Sequence, residues 1–255
     1  MRKIVLITGA TSGIGKACAM KFAQHGFDLI ITGRRKERLV HLQKEIASQF
    51  GQRALPLNFD IRDKAEVENA MESLNAGWKN IDILINNAGL ALDLKPLTDG
   101  DVDDWDTMID TNLKGLLYIT KLVANKMAGR RAGHIINIGS IAGRDAYRKG
   151  NVYVATKYAV DGLTKAMRMD LLQFGIRVSQ VAPGAVETEF SEVRFKGDQE
   201  RARKVYQGYQ PLTADDVADS VLFVATRPPH VNINDLLIMP VAQADATTFH
   251  KKNDK

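Results

Sequence analysis

The chain has 255 residues, 45% of them hydrophobic, enough for one full-sized α/β domain with a sizeable core and too few for a second. Its 35 basic residues are interspersed with 30 acidic ones for a net charge of +5, which excludes a nucleic-acid-binding stripe. No apolar run approaches a membrane span, the single Cys18 excludes an internal disulfide, and five histidines lack metal-ligand spacing, so neither membrane nor metal is expected.

Short apolar runs alternate with amphipathic stretches, the pattern of a doubly wound parallel sheet with helices on both faces. The first run, Ile4 to Thr8, starts too early to leave space for a secretory segment, so a cytoplasmic protein is expected. It leads into Thr8-Gly9-Ala10-Thr11-Ser12-Gly13-Ile14-Gly15 and then a helical stretch from Ile14 to Gln24. A strand, a glycine turn and a helix in that order build a phosphate site from backbone N–H groups and the helix N-terminus. The second run, Asp28 to Thr32, ends in Gly33-Arg34-Arg35. No acidic residue stands there to hold a ribose 2′-hydroxyl, whereas two guanidiniums suit a 2′-phosphate, so NADP is expected over NAD.

After a helix over Lys36 to Gln49, the third run, Ala54 to Phe59, closes on Asp60 and Ile61, where a carboxylate can accept from an adenine amino group. A helix over Lys64 to Asn75 precedes the fourth run, Ile81 to Asn86, which closes on Asn86-Asn87-Ala88-Gly89. Two amides there adjoin a glycine that lets backbone approach a cofactor. The acidic run Asp99, Asp101, Asp103 reads as the dipole-favoured start of one long helix over Val102 to Met127.

The fifth run, His134 to Gly139, delivers Ser140, and the next helix, Val152 to Gln173, carries Tyr153 and Lys157 four residues apart and therefore on one face. A hydroxyl, a phenol and an ammonium together make a proton-transfer centre. Bringing a phenol from pH ~10 to about 7 takes roughly 4 kcal/mol, and one cation at about 5 Å supplies roughly 3 kcal/mol at an effective dielectric of ~20. Lys157 is the expected source. The sixth run, Arg177 to Ala182, leads into residues 186–211, neither strand nor long helix; an insertion after a strand's C-terminal end lies over the ligand crevice and is expected to be a substrate lid. A helix over Ala214 to Thr226 and a strand over Asp235 to Met239 complete a domain of residues 1–245, and residues 246–255 are expected to be a tail, frayed from His250 onward.

These residues resemble the short-chain dehydrogenase/reductase family, whose motifs occur here in the family's order: the Thr8 to Gly15 fingerprint, Asn86 to Gly89, Asn112, Ser140, Tyr153, Lys157 and Pro183-Gly184-x-x-x-Thr188. The resemblance implies a single Rossmann domain with a seven-stranded parallel sheet and a catalytic tetrad of Asn112, Ser140, Tyr153 and Lys157. Tyr153 would pass a proton to the substrate carbonyl in reduction and take it back in oxidation, while Ser140 would hold the reacting oxygen. Lys157 would bond the nicotinamide ribose, Asn112 would anchor a water, and Val186 with Thr188 would hold the carboxamide.

A closer resemblance is to the NADP-dependent 3-hydroxy acid dehydrogenases, also described as serine or allo-threonine dehydrogenases and malonic semialdehyde reductases. It rests on Thr32 to Arg35, Asn87 to Leu92, Glu189 to Ser191, Val193 to Asp198, Val231 to Asn234 and Met239 to Val241. It implies small 3-hydroxy acids, such as serine, allo-threonine and 3-hydroxyisobutyrate, with their 3-oxo acids or semialdehydes as substrates. A small anion needs a cation near the tetrad; Arg194 is the first candidate, with Arg148 and Arg144 next. The family's packing of its long helices against symmetry mates implies a homotetramer. The rivals are a reductase of other carbonyls such as 3-oxoacyl thioesters, and a non-catalytic NADP(H)-binding sensor.

Overall fold

In the computed structural model, which describes residues 2–252, seven strands form one parallel sheet in the order β3-β2-β1-β4-β5-β6-β7. The strands are β1 (Ile4–Ile7), β2 (Asp28–Gly33), β3 (Ala54–Asn58), β4 (Ile81–Asn86), β5 (Gly133–Ile138), β6 (Ile176–Pro183) and β7 (Asp235–Ile238). The helices are α1 (Gly13–Gln24), α2 (Lys36–Phe50), α3 (Lys64–Glu72), α4 (Val102–Ile109), α5 (Leu116–Arg130), α6 (Asn151–Leu171), α7 (Phe190–Arg194), α8 (Gln199–Lys204) and α9 (Ala214–Ala225).

Successive strand residues point to opposite faces, so Val5 and Ile7 enter one core while Ile4 and Leu6 enter the other. All four are buried because helices cover both sides. The first core is closed by α1, α2 and α9, which contribute Phe22, Leu39 and Val221; the second is closed chiefly by α3 and α5, through Val67, Ile119 and Val123. Each such side chain adds about 1.5–3 kcal/mol by leaving water. The strand order reverses between β1 and β4, so the loops after these two strands part and leave a crevice at their C-terminal ends.

Two expectations about the chain path are corrected. The long helix over 102–127 is instead α4, a π-helical turn over Asp110–Gly115, and α5. The wider turn presses the chain against the end of β3, where a Cβ on Gly115 would stand 2.9 Å from the Ile61 carbonyl oxygen. The capping part of that expectation agrees with the structure, since Asp101 accepts from the Asp103 N–H at 3.0 Å. The second correction concerns the C-terminal segment, which folds back as far as residue 252. Gln243 bridges to Phe249, the Phe249 ring packs 5.0 Å from Tyr209, and the Lys252 N–H donates to the Gly208 carbonyl at 2.7 Å. Aromatic burial and this backbone pairing tie the segment down; residues 253–255 of the expected tail lie outside the described residues. Among the described residues, no helix is long and apolar enough to cross a membrane.

Candidate active site

A cavity of about 540 Å³ occupies the crevice and runs from the ends of β2 and β3 to the start of α6. The glycine turn after β1 forms its floor. Thr8 Oγ1 accepts from the Asn87 and Ala88 N–H groups, each at 3.0 Å, and Asn87 Nδ2 donates to the Thr8 and Gly9 carbonyls. These bonds fix the turn to the end of β4. Gly9 and Gly13 take φ values of +67° and +51°, which a side chain disfavours. The start of α1 at Gly13 and Ile14 lines the cavity, and no side chain caps it. Uncapped N–H groups at a helix start, beside glycines that leave room, fit a bound pyrophosphate.

Two residues expected to touch the cofactor are placed elsewhere. Gly15 lies beneath the turn, where a Cβ would overlap the Gly9 carbonyl and the Asn87 amide, so its smallness serves helix–turn packing. Asn86 faces the interior: its Nδ2 donates to Thr120 Oγ1 and Asn137 Oδ1, both at 2.8 Å, and Asn137 in turn donates to Thr164. A strand residue has one face to offer, and Asn86 offers it to α5 and to Asn137 of β5.

At the end of β2 and β3, Arg34, Arg35, Asp60 and Ile61 all line the cavity. Arg35 donates to Thr11 Oγ1 at 3.0 and 2.7 Å, to Ser12 Oγ at 2.7 Å and to Glu189 at 2.9 Å. The Asp60 carboxylate, expected to face adenine, is gripped by Arg62 at 2.6 Å, with Arg34 further off at 3.8 Å. Burial raises the Asp60 pKa, and the bonds from Arg62 outweigh it, leaving the carboxyl below its usual range.

The other end of the cavity gathers Ser140, Tyr153 and Lys157. Ser140 follows β5 and caps a short turn, accepting from the Ala142 N–H at 3.1 Å. Lys157 Nζ donates to the Ile138 carbonyl at 3.0 Å and stands 5.9 Å from the Tyr153 ring centroid. Asn112 lies behind them and does not line the cavity. Its Oδ1 accepts from the Leu90 N–H at 2.9 Å, and its Nδ2 donates to the Leu90 carbonyl at 2.8 Å and to Thr156 at 3.0 Å. The π turn is what carries this side chain to the loop after β4.

Burial opposes the acidification of the phenol that the sequence leads one to expect. Burial acts most strongly on Tyr153 and raises its pKa, opposed by the Arg194 charge and a hydrogen bond with Ser140. Lys157 is itself pushed down to about 8 by burial. Arg194 is the cation whose charge lowers the Tyr153 pKa against that burial. Its guanidinium lies 5.1 Å from the ring centroids of both Tyr153 and Phe190, and it donates to the Tyr147 hydroxyl at 3.1 Å. Its Nε is buried without a partner. Arg148 is exposed and away from the cavity, and Arg144 is paired with Asp235, so neither faces the tetrad.

A family model for short chain dehydrogenase matches residues 3–199. The chain belongs to the short-chain dehydrogenase family. The NADP-dependent 3-hydroxy acid dehydrogenase YdfG of Escherichia coli (strain K12) is 50% identical over 244 residues, spanning 95% of this chain and 97% of that protein. Sulfoacetaldehyde reductase 2 of Chromohalobacter salexigens is 45% identical over 245 residues, 96% of each chain. Among solved structures, the closed form of serine dehydrogenase complexed with NADP+ superposes with a TM-score of 0.91 at 48% identity, covering 98% of this chain and all (100%) of that one.

Residues of this short-chain dehydrogenase's cavity that the sequence did not single out include Tyr147, Phe190 and Gln243. Gln243 accepts from the Ala185 N–H at 2.8 Å and so fixes the turn after β6. Tyr147 had a readable signal, an aromatic residue between Ser140 and Tyr153; Gln243 had none.

The depressed Lys157 pKa carries a prediction about stability. Because the ammonium titrates near 8 when folded and at 10.5 when free, the folded state binds fewer protons between those values. The resulting penalty, about 3 kcal/mol, is fully present below pH 8 and vanishes above 10.5. Lys157→Met is therefore expected to stabilise the protein without cofactor at pH 7 by about 1–2 kcal/mol, the Ile138 carbonyl losing its donor in exchange. Urea unfolding at pH 7 and pH 10 checks this, since the gain must shrink at the higher pH.

Proposed function

We propose that this chain is an NADP-dependent oxidoreductase that interconverts small 3-hydroxy acids with their 3-oxo acids or semialdehydes. One observation carries the reading: a cavity that begins at Arg35 and ends at Ser140, Tyr153 and Lys157 has the Arg194 guanidinium 5.1 Å from the Tyr153 ring. A carboxylate held by Arg194 brings a carbonyl or hydroxyl two carbons away to the phenol. The glycine turn and the start of α1 would hold the pyrophosphate, Arg34 and Arg35 the 2′-phosphate, and Lys157 the nicotinamide ribose. Pro183, Gly184, Val186 and Thr188, all on the cavity wall, would hold the carboxamide.

When bound, NADP takes up or supplies the hydride. The chain's own residues manage the proton and the orientation. Tyr153 donates its phenolic proton to the substrate oxygen during reduction and accepts it from the alcohol during oxidation. Ser140 holds that oxygen in line, and Asn112 fixes the loop after β4 beneath it. Residues 186–211 form a lid that supplies Arg194 and Phe190 and keeps water from the reacting groups. The homotetramer suits the exposed apolar side chains Leu117 and Tyr158 on α5 and α6 and Leu237 and Val241 at the β7 edge of the sheet.

Initial rates with NADP and NAD on serine, allo-threonine, 3-hydroxyisobutyrate and 3-hydroxypropionate test the proposal, and no turnover of any of them refutes it. The cofactor half has its own expectation. Arg35→Ala should raise KM for NADP by about 10–100-fold and leave KM for NAD unchanged, because a charge-assisted bond to the 2′-phosphate contributes about 1.5–3 kcal/mol. Equal losses for both cofactors would count against it.

A further inference from the structure

A residue near the start of the lid reaches back across the cavity. Glu189 immediately precedes α7, and its carboxylate meets Arg35 at the other end of the cavity and Arg38 in the first turn of α2. Its Oε2 accepts from Arg35 Nη1 and from Arg38 Nη1, each at 2.9 Å, and its Oε1 accepts from Arg38 Nη1 at 2.7 Å. Five residues further on, Arg194 stacks on Tyr153. One short stretch therefore ties the arginines after β2 to the cation above the phenol.

We infer that Glu189 is an internal competitor for the cofactor's 2′-phosphate: it holds Arg35, which lines the cavity, in the free enzyme and yields it to the phosphate, which unlatches the start of the lid. The inference rests on the NADP reading above. A carboxylate and a phosphate carrying about −1.5 to −2 charges cannot share the Arg35 guanidinium without mutual repulsion, and the phosphate brings more charge and more acceptor oxygens. A ribose 2′-hydroxyl has no charge with which to displace Glu189, so NAD leaves the latch closed. Glu189 is thus a positioning residue acting through Arg35.

The burial of Glu189 raises its pKa, and the hydrogen bonds from Arg35 and Arg38 more than offset this, so the carboxyl sits below its usual range and stays ionised at neutral pH. The contact nevertheless lies partly in water, with both side chains about 40% exposed, so exchange of one anion for another is feasible at modest cost.

The test uses 2′,5′-ADP, which carries the 2′-phosphate and no nicotinamide, against 5′-AMP, which lacks the 2′-phosphate. Calorimetric titration of the whole protein should show Glu189→Gln binding 2′,5′-ADP about fivefold more tightly than the wild type, with 5′-AMP binding unchanged. In the wild type, 2′,5′-ADP should speed hydrogen exchange of the α7 amides, and 5′-AMP should not. Unchanged or weaker 2′,5′-ADP binding by Glu189→Gln overturns the inference, as does wild-type exchange that ignores the 2′-phosphate. The exchange arm needs no variant, so it decides even if Glu189→Gln folds poorly. A wild type that binds both nucleotides equally would instead sink the NADP reading itself.

Discussion

Tyr153→Phe should lower turnover by about 10³-fold in both directions while leaving cofactor affinity and thermal stability near wild type. The variant removes one oxygen and keeps the ring, and the ring is what packs 5.7 Å from Phe190 and under Arg194. The loss therefore measures proton transfer and little else. The wild-type pH profile sharpens the argument. Burial holds the phenol protonated through neutral pH, so reduction, which needs the acid form, should be flat there and fall only as the phenol ionises at alkaline pH. Oxidation needs the phenolate and should climb over the same alkaline range. A variant without the phenolic oxygen can have neither limb. Stopped-flow rates for both directions across pH, with cofactor binding followed separately by fluorescence, check the prediction; a variant that keeps wild-type turnover removes Tyr153 from the mechanism.

Much of this architecture could be read from the chain because its signals are local. Buried parallel strands appear as unbroken apolar runs, and the glycine turn needs its glycines within a few residues of one another. The side chains that chain order alone put together, Ser140, Tyr153 and Lys157, do share one end of the cavity. What escaped depends on contacts across the fold. Nothing in the spacing of Leu113, Leu116 and Leu117 marks the π turn, because a helix and a helix with one wider turn share nearly the same apolar stripe. Asn86 and Asn87 look alike in sequence, yet one faces Asn137 inside the sheet and the other the glycine turn. The ionisation of Tyr153 escapes for a related reason. Distance along α6 places Lys157 beside it, whereas a second cation that lowers its pKa arrives from α7, 41 positions later.

That cation is the subject of the second large effect. Arg194→Ala should raise KM for 3-hydroxy acids by about 100-fold and change kcat much less, since it removes the group that holds the substrate's carboxylate and spares the tetrad. The geometry suits an anion site: a guanidinium held against two aromatic rings, one Nη2 bond to Tyr147, and a buried Nε with no acceptor. A buried donor without a partner is costly, and a carboxylate relieves it through two parallel bonds. Arg194→Lys should recover only part of the loss, because an ammonium restores the charge without the fork. The amide of the same hydroxy acid, which has no charge to hold, should be a poor substrate for the wild type and no worse for the variant. A second signature follows from the phenol. Arg194 lowers the Tyr153 pKa against the burial that raises it, so its removal should move the alkaline rise of the oxidation rate to higher pH. A purely structural arginine would alter stability without producing both the carboxylate-dependent KM and the shifted profile. If KM for the hydroxy acids stays at the wild-type value, the carboxylate is held elsewhere, and Arg194 is left with only its influence on the phenol.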